Sequence, residues 1–183
     1  MKLTRRRLIL TSALLAAGLP PAGLLRAQLA APWRDYQSEE GRFKVSFPGE
    51  PVTKRGKLRT ESGELPSTWH TAGDGVDATY DVRYTDYPGA VTGRLTPAKM
   101  LAAARDGLIA QSKGRLESDK PVGMGKVAGR DLQITGEDGM HYRFRLLLVE
   151  HRLYQLTAMA RPPARADEDR FFASFQLIGF PRQ

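Results

Sequence analysis

The chain has 183 residues, 28 Lys and Arg against 20 Asp and Glu, a formal charge of +8, and no cysteine. The absent cysteines exclude disulfides, thiol nucleophiles, iron–sulfur ligation and cysteine-held zinc. The charge carries no nucleic-acid reading: five of the basic residues (Lys2, Arg5, Arg6, Arg7, Arg26) and no acid precede Gln28, so the chain from Gln28 onward holds 23 basic and 20 acidic residues, and a nucleic-acid surface needs its cations gathered on the folded domain.

Residues 1–27 are expected to be an export signal. Lys2 and three arginines lead a largely apolar run from Leu8 to Leu19, broken at Pro20-Pro21 and followed by Ala27, Ala30 and Ala31. A basic start, a short apolar stretch and a small-residue cut zone mark a segment removed on export. The run falls short of the roughly 20 apolar residues of a bilayer span, so no stable membrane span is expected after cleavage. Thr4-Arg5-Arg6-Arg7-Leu8-Ile9 resembles the twin-arginine motif, with Leu8 where Phe is usual. No cysteine follows the run to carry a lipid. The expected location is the periplasm.

A short tether over 28–35 then leads into a single domain over 36–183, long enough for one core without disulfides. "SEEG" reads as a turn, and Phe43, Val45 and Phe47 alternating with Lys44 and Ser46 as a strand, stopped by "PGEP". Residues next to each other in a strand point apart, so Glu39 and Glu40 do not read as an acid/base pair. "TKRGKLRT" and "LPSTWHTA" predict a charged hairpin turning near Glu61-Ser62-Gly63. In "GDGVDATYDVRYTDYPG", Val76, Ala78, Tyr80, Val82 and Tyr84 face one way and Asp77, Thr79, Asp81, Arg83 and Thr85 the other.

The period then changes. Thr96 can cap a helix and Pro97 suits its first position; Met100, Leu101, Ala104, Leu108 and Ile109 form one stripe, and Gly114 is a stop. Gly107 within it is expected to allow close packing on a sheet. Strands are predicted near Lys126–Thr135, His141–Val149 and Arg152–Ala160, with Glu150-His151 as an ill-suited two-residue turn. "RADEDRFFASFQLIGF" predicts a closing helix, acidic in its first turn. The expected class is α+β, an antiparallel sheet sandwiched by helices.

"EEGRFKVSFPGEP", "HRLYQLTA" and "RFFASFQL", in that order, resemble exported bacterial domains similar to PsbP, the extrinsic lumenal subunit of photosystem II. The resemblance spans roughly Tyr36 to Gly179 and implies an α/β/α sandwich on an antiparallel sheet. Its shared residues (Gly41, Phe43, Phe47, Phe171, Phe175) mark turns and core, and none of them points to manganese or photosynthesis.

Catalytic signals are weak. His70, His141 and His151 lack metal-ligand spacing, no serine lies in G-x-S-x-G, and "GMGKVAG" lacks the strand-loop-helix context of a phosphate cradle. No cofactor is expected. Arg83, Arg143 and Arg145 are the candidate binding patch, set against cross-strand pairing with acids such as Asp81. The expected function is a binding or accessory role toward a protein or envelope component. The alternatives are a hydrolase-like enzyme with a dispersed site (His70, Asp74, His141) beside a pocket lined by Trp69, Tyr80 and Tyr84, and a carrier of a small apolar ligand held between sheet and helix.

Overall fold

Alternating apolar residues dominate the chain, and the computed structural model, which describes residues 32–60, 63–73, 78–162 and 166–180, is built mainly of antiparallel strands. The expected signal over 1–27 lies outside the described residues. So do Asp74 and the turn at Glu61-Ser62.

Seven strands form the large sheet, in the order β3 (Val52–Thr60), β4 (Gly63–Gly73), β5 (Ala78–Asp86), β9 (Arg152–Ala160), β8 (His141–Val149), β7 (Val127–Thr135) and β6 (Arg115–Met124). A second sheet joins β1 (Trp33–Ser38), β2 (Phe43–Pro48) and β10 (Gln176–Leu177), with β2 in the middle. Strand β1 begins inside the stretch read as a tether. Among the described residues three helices complete the fold: α1 (Gly89–Thr92), α2 (Pro97–Ser112) and α3 (Glu168–Ser174).

The pleat gives the large sheet two unlike faces. Tyr80, Val82 and Tyr84 of β5, Tyr154, Leu156 and Ala158 of β9, and Leu147 of β8 point to the front. There they bury Phe43, Val45 and Phe47 of β2 together with Phe171, Phe172 and Phe175. Fully burying one Phe side chain contributes roughly 1.5–3 kcal/mol, so this aromatic layer dominates the front core. Phe144, Leu146 and Leu148 of β8, with Leu132 and Ile134 of β7, point to the back and meet Met100, Leu101 and Leu108 of α2.

The expectation of a sheet sandwiched by helices is therefore corrected. The front cover is a sheet, because Phe43, Val45 and Phe47 repeat with period two and β1 pairs along the whole of β2. The closing helix is cut to seven residues. Phe175 is extended (φ −71°, ψ 129°), and Gln176–Leu177 pair with Phe43 and Lys44 as a strand. Only α2 packs broadly on the back, and its contacts fall on β7 and β8.

Local chemistry explains the α2 boundaries. The Thr96 hydroxyl accepts from the Lys99 N–H at 3.3 Å, and Pro97 takes the first position. At the far end Lys113 takes a left-handed φ of 46°. A Cβ on Gly114 would lie 2.7 Å from the Thr135 carbonyl oxygen, so glycine lets the helix end close onto β7. Gly107 plays no such part: it is exposed, with nothing within 4 Å of where a Cβ would stand.

Candidate functional site

The three arginines singled out in the sequence fall on opposite faces. Arg143 and Arg145 are on the front of β8, and both bond to Asp131 of β7, at 3.1 and 2.8 Å. Arg143 also meets Asp169 of α3 at 2.9 Å, and Arg145 donates to the Phe172 carbonyl at 3.2 Å. Their guanidinium carbons stand 4.7 and 4.9 Å from the centre of the Phe172 ring. The pair is a charge-matched tether holding α3 to the sheet. A like clamp serves α2 on the back: Arg105 and Arg130 converge on Asp119, at 3.2 and 2.8 Å.

Arg83 belongs to the back face. Cross-strand pairing sets Lys54, Trp69, Arg83, Gln155 and Leu146 in one row and Val52, Thr71, Asp81, Thr157 and Phe144 in the next. Apart from Trp69 and Val52, each row is polar across β3, β4, β5 and β9 and turns apolar at β8, where α2 takes over. Among the described residues no element packs broadly on the polar half.

At its centre Trp69 lies against Gly56, where a Cβ would come 2.8 Å from the ring. The Arg83 guanidinium stands 5.0 Å from the indole centre. Arg83 is half-buried yet has no ion pair or side-chain hydrogen bond among the described residues, and burial lowers its pKa from the usual arginine value. Beside it, Asp81 lies opposite Thr71 of β4, which favours its charged form, and its Oδ1 is buried and unpartnered. Burial raises the Asp81 pKa, and Thr71 and Arg83 only partly oppose this. A guanidinium without an acceptor and a carboxylate oxygen without a donor thus adjoin a flat, half-buried indole. Most buried polar groups are satisfied, so this pairing suits a partner that supplies both kinds of hydrogen-bonding group.

The residues of a dispersed catalytic site do not converge. His70 is 3% exposed between the sheets, His141 is exposed at the start of β8, and His151 is exposed in the β8–β9 turn with its Nδ1 2.7 Å from the Thr92 hydroxyl. No group of residues suited to a metal ion occurs among the described residues. Glu39 and Glu40 lie in the β1–β2 turn and bond to Gln37 and Arg55 respectively. That Arg55 bond, at 2.8 Å, holds Glu40 below the usual carboxylate range. "GMGKVAG" is the β6–β7 hairpin, turning at Gly125-Lys126. An open groove of about 1170 Å³ lies on the front beside α3, lined by Arg115, Glu117, Gln133, His141, Arg143 and Glu168. Its charged lining is the opposite of what a small apolar ligand requires, while Trp69 and Tyr80, expected to line the pocket of a dispersed catalytic site, are on opposite faces of the sheet.

The chain matches no protein-family model and no curated protein sequence. Among solved structures it is similar to cyanobacterial PsbP (CyanoP) from Synechocystis sp. PCC 6803, with a TM-score of 0.54 at 11% identity over 91% of this chain and 98% of that one. The fold is PsbP-like. A protein of unknown function from Pseudomonas aeruginosa is a more distant structural neighbour, with a TM-score of 0.38 at 13% identity over 71% of this chain and 83% of that one. At such identities the likeness to PsbP concerns the fold alone. No helix among the described residues is long and apolar enough to cross a membrane.

The polar half of the back face had one sign in the sequence: Asp81 and Arg83 alternate with the apolar residues of β5. Nothing in the sequence showed that Trp69 would join them, because that depends on the pairing of Trp69 with Arg83.

Proposed function

We propose that the chain is an exported, periplasmic module that works without a cofactor and binds a protein or other envelope component. The observation that carries this reading is the pair on the back face unmet among the described residues, Arg83 without an acceptor and Asp81 Oδ1 without a donor, beside Trp69 on a half-sheet that no described element covers. Leaving Asp81 Oδ1 buried and unsatisfied costs about 1–3 kcal/mol, which a partner donating to it would return. The export signal read at residues 1–27 supports the location.

The test is capture from envelope extracts on the immobilised protein, comparing the natural chain with Arg83→Glu and Trp69→Ala. Reproducible capture of one component, lost in both variants, is the expected result. Equal capture by Arg83→Glu, or no capture by the natural chain, would overturn the reading. Arg143→Glu/Arg145→Glu is the wrong probe, because it leaves Asp131, only 12% exposed, facing two carboxylates. That variant is expected to lose about 2 kcal/mol or more of stability, measured by urea unfolding.

A further inference from the structure

We propose that the outer edge of β3 takes up an extended, acidic segment of a partner protein as an added strand. This rests on the reading of the chain as a binding module, and it concerns a different surface, the rim of the large sheet rather than its back face.

The two ends of that sheet are unlike. At one end β6 carries a register break between Leu116 and Ser118, and Pro121, which has no N–H to give; bulges and prolines are how exposed edges are blunted. At the other end β3 pairs with β4 through all nine of its residues, from Val52↔Thr71 to Thr60↔Gly63, with no bulge and no proline. It stands last in the strand order, so among the described residues no strand pairs with its outer side. A regular edge of this length can be extended by main-chain hydrogen bonds from another chain.

Side chains specify what would bind. Strand β3 holds Lys54, Arg55, Lys57 and Arg59 and no carboxylate. Three of these cations share the front: Arg55, Lys57 and Arg59, with side chains 69%, 69% and 90% exposed. Among the described residues they meet two carboxylates, Glu40 on Arg55 and Glu64 shared by Lys57 and Arg59 at 3.3 and 3.4 Å. Such exposed pairs are weak and exchangeable. On the back, Val52 is 59% exposed, and at Gly56 the Trp69 ring occupies the space a side chain would take. An added strand with carboxylates at alternate positions would lay them along the three cations and set its intervening apolar side chains beside Val52 and the indole. A second copy of this chain does not fit, since it would bring four cations against four.

The probe is a blocked nine-residue peptide alternating Glu with Val and Thr, titrated against the full chain by isothermal calorimetry. Controls are the same peptide with Lys for Glu, the Glu peptide N-methylated at alternate amides, and the variant Arg55→Gln/Lys57→Gln/Arg59→Gln. The proposal expects binding by the Glu peptide, weakened about tenfold or more by each change. No binding, or binding that survives N-methylation, would overturn it and leave the cations as protection of a bare edge. The Arg83→Glu capture assay is independent of this titration, so failure at the edge is distinguishable from failure of the binding module itself.

Discussion

At His70 two hydroxyls converge on one ring nitrogen: Tyr36 Oη lies 3.1 Å and Thr53 Oγ1 2.9 Å from Nδ1. If both donate, the imidazole proton belongs on Nε2, which is buried without a partner. Tyr36, Phe43 and Tyr84 pack around the ring. Burial draws the pKa below the ordinary 6.5, opposed by the Glu40 carboxylate and reinforced by Arg55. The unfolded chain therefore takes up this proton at a higher pH than the folded one. The contribution to stability is complete above pH 6.5, declines as pH falls through that value, and levels off once the folded pKa is passed. The slope is at most about 1.4 kcal/mol per pH unit. Urea unfolding near pH 7.5 and near pH 5.5 is expected to show this loss in the natural chain and not in His70→Gln; equal losses would place the acid sensitivity elsewhere. Asp81, whose pKa burial raises, gives a slope of the opposite sign, and both proteins share it. The sequence places His70 on a strand, but its burial follows from pairing with Val82 on the front face.

Among the elements, those with a strong period were readable in advance. Strands β8 and β9 begin and end where alternation predicted, and α2 starts at the expected cap. Strand β6 was missed because Arg115–Met124 mixes charges with Pro121 and shows no alternation; as an edge strand it has one partner and can tolerate a proline. The last helix was read too long because the Phe171, Phe172 and Phe175 anchors suit a helix or an extended turn-out equally, and only β2 as a neighbour makes Gln176–Leu177 a strand. Gly107 was read as a packing device and is a solvent-facing helix residue. Gly107→Ala is accordingly expected to raise stability by about 0.5–1 kcal/mol, seen as a higher urea midpoint with unchanged slope. A loss of stability would mean that this helix face is covered after all.

Across the whole molecule, two strands link the two cores: Leu147 of β8 and Tyr154 of β9 point into the front core, and Leu146 and Leu148 of β8 and Leu153 of β9 into the back core. Neither cover can leave without exposing the sheet on which the other depends. The domain is therefore expected to unfold in one calorimetric transition, with equal calorimetric and van't Hoff enthalpies. Two resolved transitions would show that the small sheet or α2 melts separately. The class error in the sequence reading arose at this scale. The strand cover of the front depends on contacts between residues more than a hundred positions apart, such as Phe43 with Phe175, which no local pattern reveals.

That distance also sets an order of assembly. Strand β2, near the start of the domain, is completed by Gln176–Leu177 and capped by Phe171 and Phe175; the Ile178 N–H returns to the Arg42 carbonyl at 2.9 Å. A nascent chain that has reached only α2 carries Phe43, Val45 and Phe47 with no lid. Such long-range closure slows folding and prolongs the exposure of apolar surface. During synthesis this apolar strand stays without its cover until the Phe171–Leu177 stretch has been made.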